Sequence, residues 1–296
     1  MTKTTVFTGA ATALITPMDS QGVCYNQLGR LIDWQIEQGI DALVICGTTG
    51  EASTLSDIEH RRVVAYAAER VNGRVPLIAG TGSNDTAYAI DLTRAAGNAG
   101  VDAVLVCTPY YNKATQPGLQ RMFSAIADAS EKPVILYNIP ARTGVSIEPE
   151  TYEALASHGN IVAAKEAGGD ISKLVETVAR TGGRLDIYSG NDDQIVPILA
   201  MGGQGCISVL SNVLPARTAE LCAKFRAGDI RGAATLQCQL LELISALFCE
   251  VNPIPAKAAM AALGYCQDYL RLPLTPMEAG HRERLLRAMR GQGLTV

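Results

Sequence analysis

Short apolar runs recur along the chain at residues 10–16, 42–46, 76–79, 103–107, 134–137, 161–165, 185–189 and 205–209, with starts between about 20 and 35 residues apart. That interval is the length of a strand followed by a crossover helix. The runs are nearly continuous in apolar residues, the pattern of parallel strands covered on both faces. Between them the spacing is helical: residues 26–38 bring Leu28, Leu31, Ile32 and Ile36 to one side, and Ser56-Asp-Ile-Glu59 is a capping box opening a helix that runs through Arg70. Gly39, Gly73, Gly100, Gly182 and Gly228 sit where such helices stop. The chain also echoes itself, since Gly39-Ile-Asp-Ala-Leu-Val-Ile-Cys46 is answered by Gly100-Val-Asp-Ala-Val-Leu-Val-Cys107.

Eight strands with eight crossovers predict an α/β fold closed into a (β/α)₈ TIM barrel. A doubly wound open sheet satisfies the same count. After about residue 227 the strand signal ends, and residues 230–251, 256–263 and 277–289 read as helices. The expected organisation is a catalytic barrel over 1–227 and a C-terminal helical domain over 228–296, packed on the barrel or on a neighbouring subunit.

Composition narrows the classes of function. With 48% apolar and 18% charged residues in 296, the chain can bury a substantial core, which excludes a disordered or collagenous protein. A net charge of −4 with no basic block leaves nothing to neutralise a phosphate backbone, so nucleic acid is not an expected partner. No apolar run approaches the roughly 20 residues of a membrane span. The eight cysteines lie far apart, without a C-x-x-C pair or a histidine at metal-ligand spacing, so no metal site is expected. Cys46, Cys107 and Cys206 fall in apolar runs, where a free thiol acts as a small hydrophobe. With a start, MTKTTVFTGA, that lacks the apolar stretch of a signal peptide, this predicts a cytoplasmic protein.

In a barrel of this kind the site lies at the C-terminal ends of the strands. Lys165 is the sharpest feature there. Of seven lysines it alone ends an expected buried strand, where an unpaired ammonium is expensive to desolvate. One reading is an amine nucleophile that forms a Schiff base with a carbonyl substrate; the other is a salt bridge, to Glu166 or to the next strand. Position alone leaves both open. Tyr137 ends the preceding strand, within reach of Lys165 in a right-handed barrel, and is either a proton shuttle or a phenol bonded to backbone. Gly47-Thr48-Thr49-Gly50 joins a strand to a helix, either a carboxylate cradle or a plain polar turn. Arg142 follows the fifth strand, and its fork suits a second carboxylate, though an exposed loop arginine is equally compatible. Lys113, in Tyr110-Tyr111-Asn112-Lys113, is a loop lysine expected to stay solvated and protonated. His60, His158 and His281 lie in helices or helix ends, so neither a Ser-His-Asp triad nor a histidine metal site has support.

Taken together, Gly47-Thr-Thr-Gly-Glu51, Pro109-Tyr-Tyr-Asn-Lys113, Tyr137-Asn-Ile-Pro-Ala-Arg-Thr-Gly144, Lys165-Glu166, Ser189-Gly-Asn-Asp192 and Asn252-Pro-Ile-Pro-Ala-Lys257 resemble the dihydrodipicolinate synthase branch of the pyruvate-dependent class I aldolases. The resemblance spans nearly the whole chain. It implies condensation of pyruvate with L-aspartate 4-semialdehyde, on the route to diaminopimelate and lysine, through a covalent imine on Lys165 and with no metal or organic cofactor. It implies Tyr137 as central proton shuttle, completed by Thr49 and by Tyr111 donated across a dimer, in a homotetramer. Thr48 and Thr49 are expected to hold the pyruvate carboxylate, Gly190 and Ile207 to line its pocket, and Arg142 to bind the semialdehyde carboxylate.

The resemblance also bears on regulation and on rival readings. Many members are inhibited by lysine at the dimer interface; His60, Asn84 and Tyr110 match positions used there. Tyr88, however, stands where the feedback-sensitive pattern has a glutamate, which predicts weak or absent inhibition. N-acetylneuraminate lyases and sugar-acid aldolases resemble the chain in the lysine, the tyrosine and the Gly-x-Thr-Gly-Glu turn but lack the full Pro-x-Arg-Thr-Gly and Tyr-Tyr-Asn-Lys set. A barrel that binds a metabolite without turnover leaves the lysine, tyrosine and threonine set unexplained.

Overall fold

The computed structural model describes residues 4–296. Eight parallel strands close into a barrel: β1 (Gly9–Ala13), β2 (Ala42–Ile45), β3 (Leu77–Gly80), β4 (Ala103–Cys107), β5 (Val134–Asn138), β6 (Ile161–Glu166), β7 (Asp186–Ser189) and β8 (Gly205–Ser208). Closure decides between the two expected sheets. Ala11 pairs with Ile207 of β8 on one side and Ala42 of β2 on the other, so no open edge remains. Glycine is required at this seam, because a Cβ on Gly205 would stand 1.8 Å from the carbonyl oxygen of Gly9.

The crossovers are α1 (Tyr25–Glu37), α2 (Asp57–Val71), α3 (Thr86–Asn98), α4 (Gln116–Ala129), α5 (Pro149–Leu155), α6 (Ile171–Thr181), α7 (Ile195–Ala200) and α8 (Pro215–Arg226). The expected capping box is present at α2, with Ser56 accepting from the Glu59 amide and Glu59 accepting from the Ser56 amide. Three further helices follow: α9 (Ile230–Leu247), α10 (Ile254–Ala262) and α11 (Ala279–Gly291). The first of these lies on α8 and α11. None of the helices among the described residues is long and apolar enough to cross a membrane.

Side-chain parity places the chemistry. Ala42 and Val44, Ile135 and Tyr137, Ala163, Tyr188 and Ile207 belong to the inner cluster of the barrel. Their strand neighbours Leu43 and Ile45, Val134 and Leu136, Ala164, Ile187 and Cys206 pack outward under the helices. Lys165 shares the parity of Ala163 and faces inward, whereas Glu166 faces out. The floor is closed by Phe7, which stacks on Tyr188 at 4.2 Å, while the Tyr188 hydroxyl donates to the Phe7 carbonyl at 2.7 Å.

Two elements depart from the expected pattern. The first strand ends at Ala13, Leu14 still donating to the Val44 carbonyl, and the chain then forms a two-residue antiparallel hairpin, Met18–Asp19 against Gly22–Val23. Two residues per strand are too few for any periodicity to show. The helix expected over 230–251 stops at Leu247, freeing the next residues to run back to the barrel mouth.

Candidate active site

At the C-terminal end of β6, Lys165 sits opposite Tyr137 of β5 in the parallel register. It is 5% exposed, and its Nζ lies 4.3 Å from the centre of the Tyr137 ring. Among the described residues it makes no ion pair within 4 Å, and Glu166 is committed elsewhere: it accepts from the Tyr152 hydroxyl at 2.8 Å, the Asn138 amide at 3.0 Å and the Gly168 backbone at 2.6 Å. The salt bridge to Glu166 is therefore not formed. Burial lowers the Lys165 pKa to about 8, with the Asp192 carboxylate opposing and the Arg142 cation assisting. A sizeable fraction of this amine is thus neutral at cellular pH. Gly190 leaves room for it, since a Cβ there would meet Ala167 at 2.7 Å and the Lys165 Cε at 3.1 Å.

The Tyr137 hydroxyl is raised to about 12 by burial, with the Thr48 hydroxyl beside it working in the other direction. A phenol in that state keeps its proton at neutral pH and can both donate and accept. The family resemblance implies Thr49 as the threonine of the relay with this phenol. The structure puts Thr48 there, while the Thr49 hydroxyl is buried and accepts from the side-chain amide of Asn252 at 3.0 Å. Ile207 is buried on β8 in the same inner cluster as Tyr137.

A cavity of about 400 Å³ is walled by Thr48, Tyr137 and Arg142 together with His60, Tyr88 and Tyr110. Lys165, Gly190 and Ile207 are not on its wall, although Lys165 Nζ stands over the ring of Tyr137, which is. Arg142, on a short helical turn (Pro140–Thr143), is exposed at the mouth and donates from Nη2 to the Asn252 carbonyl at 2.8 Å. Tyr111 is 90% exposed and stands away from the cavity of its own chain. Lys113 is exposed, as expected of a loop lysine.

Of the residues matched to a regulatory site, His60 is buried with Nε2 against the Gly80 carbonyl at 2.9 Å, and burial lowers its pKa. The Tyr88 hydroxyl donates to Asp57 at 3.0 Å, and the Asn84 carbonyl accepts from the Asn112 amide at 2.9 Å. One acid and histidine group among the described residues, Glu250, Glu278 and His281, stands close enough to share an ion. Its members already bond to one another on the helical part, with His281 Nδ1 at 2.8 Å from Glu250.

The sequence reading assigned no role to Glu51, Lys257 and Asn252, whose partners lie some 200 residues away in the chain. Lys257 on α10 is fully buried, with Nζ 2.5 Å from Glu51 and 2.7 Å from the Thr16 carbonyl. Glu51 closes the Gly47-Thr-Thr-Gly turn in a left-handed conformation, φ 54°, and its other oxygen accepts from the Arg271 backbone at 3.3 Å. Replacing Lys257 by methionine leaves a buried carboxylate without its counter-ion and is expected to cost about 3–5 kcal/mol. Adding Glu51→Gln recovers part of the loss. Denaturant unfolding of the two variants checks this, and an unchanged midpoint for the single variant contradicts it.

A closed (β/α)₈ barrel with a low-pKa lysine against a phenol at its C-terminal mouth defines the class: a barrel equipped for amine chemistry on a carbonyl compound. The chain matches the Dihydrodipicolinate synthetase family over residues 6–292, and it belongs to that family. It is 50% identical over 289 residues to the 4-hydroxy-tetrahydrodipicolinate synthase of Acetivibrio thermocellus, covering 98% of each chain. Two solved structures are equally similar in shape. The dihydrodipicolinate synthase of Aquifex aeolicus superposes with TM-score 0.96 at 42% identity, over 97% of this chain and 99% of that one. The chloride-inhibited dihydrodipicolinate synthase of Acinetobacter baumannii, complexed with pyruvate, gives TM-score 0.95 at 44% identity over the same shares.

Proposed function

We propose that this chain condenses pyruvate with L-aspartate 4-semialdehyde, the 4-hydroxy-tetrahydrodipicolinate synthase reaction on the route to diaminopimelate and lysine. The observation that carries the reading is the buried Lys165 amine, of pKa about 8, facing the Tyr137 phenol across the β5–β6 register. The neutral amine attacks the ketone carbon of pyruvate, and the carbinolamine loses water as Tyr137 returns a proton to the leaving oxygen. Loss of a methyl proton from the imine gives an enamine, whose carbon adds to the aldehyde of the second substrate. The amino group of the added unit then attacks the imine carbon, closes the ring and releases Lys165. The lysine imine is the electron sink, so the scheme needs no metal or organic cofactor.

The remaining roles belong to the same reading. Thr48 passes protons between Tyr137 and Tyr111 of the partner subunit, a role for which its place beside the phenol is the support. Thr49 and Thr48 hold the pyruvate carboxylate, Gly190 and Ile207 shape the space around the imine, and Arg142 takes the semialdehyde carboxylate. A Tyr111 that is 90% exposed suits donation across a dimer in a homotetramer. Residues 1–227 form the catalytic domain and 228–296 a helical domain, in a cytoplasmic enzyme. A coupled assay with each aldehyde acceptor tests the substrate: aspartate semialdehyde is consumed, and N-acetylmannosamine and sugar aldehydes are not. The reverse preference would make the chain a sugar-acid lyase.

Regulation follows from Tyr88. A lysine side chain at the rim needs an unpaired anion for its ammonium; the Tyr88 phenol is neutral, and the Asp57 carboxylate it bonds is already paired with Arg61. Lysine at up to millimolar concentration is therefore expected to leave the rate at saturating pyruvate unchanged. Inhibition at micromolar lysine would contradict this.

A further inference from the structure

The chain between α9 and α10 brings one residue, Asn252, against both walls of the mouth. It is 6% exposed. Its Nδ2 donates to the Thr49 hydroxyl at 3.0 Å, and its backbone carbonyl accepts from Arg142 Nη2 at 2.8 Å. The Oδ1 of the same side chain is buried and has no hydrogen-bond partner among the described residues. The segment is anchored just downstream, where Lys257 joins α10 to Glu51 of the Thr48–Thr49 turn and to the Thr16 carbonyl.

A hydroxyl has one proton to donate and two lone pairs that accept. Because Asn252 donates to Thr49, it takes up an accepting direction and leaves the Thr49 proton for another acceptor. A carboxylate only accepts, so a hydroxyl held in this sense is a donor ready for it. An acceptor in place of the Asn252 amide would claim the Thr49 proton and turn lone pairs toward the substrate. At the other end, a guanidinium on a loop would sample many orientations, and the Asn252 carbonyl fixes one of its N–H groups.

We infer that Asn252 is a positioning residue for the pyruvate carboxylate: its side chain directs the Thr49 proton toward pyruvate, while its carbonyl ties the same segment to Arg142. The inference rests on the functional reading above, in which Thr49 holds that carboxylate. One residue of the helical part thereby aligns a donor that the barrel strands alone do not.

Asn252→Asp is nearly isosteric and presents only acceptors at pH 8. In that variant the pyruvate concentration giving half-maximal reducible adduct at Lys165 should rise about 10-fold or more, the scale of a lost hydrogen bond to a charged group. The maximal rate should change less than about 3-fold, a split that a loosened fold does not produce. Asn252→Ala, alone and with Thr49→Val, gives a second measurement that does not depend on the aspartate variant folding. The double variant should match Thr49→Val in its pyruvate requirement, because Asn252 acts through that hydroxyl. If wild-type protein forms no adduct at Lys165, the functional reading falls and takes this inference with it. If the wild-type adduct forms but Asn252→Asp saturates at the same pyruvate concentration, or if the alanine and valine effects add in full, the inference alone is overturned.

Discussion

Replacing Lys165 by arginine is expected to lower kcat/KM by about 10³-fold or more and to remove every trace of a reducible pyruvate adduct. Arginine keeps the positive charge and much of the volume, but its guanidinium does not lose a proton in the accessible pH range and forms no imine with a ketone. The comparison therefore separates a nucleophile from a cation that merely attracts carboxylates. A lysine acting only by its charge would leave the arginine variant with a substantial share of activity. The pH dependence in the wild type has a definite sign. Burial lowers the pKa to about 8, so the neutral amine becomes the main form as pH rises through that value. The second-order rate of imine formation, followed by stopped flow, should climb between pH 6 and 8 and level off above it. A rate that is flat across this window, or that falls with rising pH, would contradict the account.

Tyr137→Phe should reduce kcat by about 10²–10⁴-fold, the range of a positioned acid and base. The ring packs in the inner barrel cluster with Ile135, Tyr188 and Ile207, and phenylalanine preserves that packing. The loss is thus expected without a matching loss of stability. Lys165 remains in place, so borohydride should still trap pyruvate in this variant, only more slowly. A variant that keeps more than about a tenth of wild-type kcat would show that the phenol serves packing alone.

Much of the site could be read before folding because it follows strand parity. Tyr137 and Lys165 both end apolar runs, and neighbouring strands of a closed parallel barrel place such ends side by side. Closure itself was not legible, because eight βα units also build an open sheet; the pairing of Ala11 with both Ile207 and Ala42 settles it. The choice between Thr48 and Thr49 was not legible either. They are adjacent on an irregular turn, where no period says which side chain points to Tyr137. Asn252, Glu51 and Lys257 were visible as motif residues but silent as to role, since each takes its meaning from a partner about 200 residues distant in the chain. The contact of the helical part with Thr49 and Arg142 is made only by the tertiary fold, and no local pattern carries it.

The central claim is that Lys165, and no other lysine, forms a covalent imine with pyruvate. Borohydride reduction of the wild-type protein with pyruvate, followed by proteolysis and mass mapping, tests it directly. One added pyruvate-derived group per chain is expected, on the peptide carrying Lys165, and none when pyruvate is omitted. A modified Lys113 or Lys257 in its place, or no modification under conditions of turnover, would contradict it.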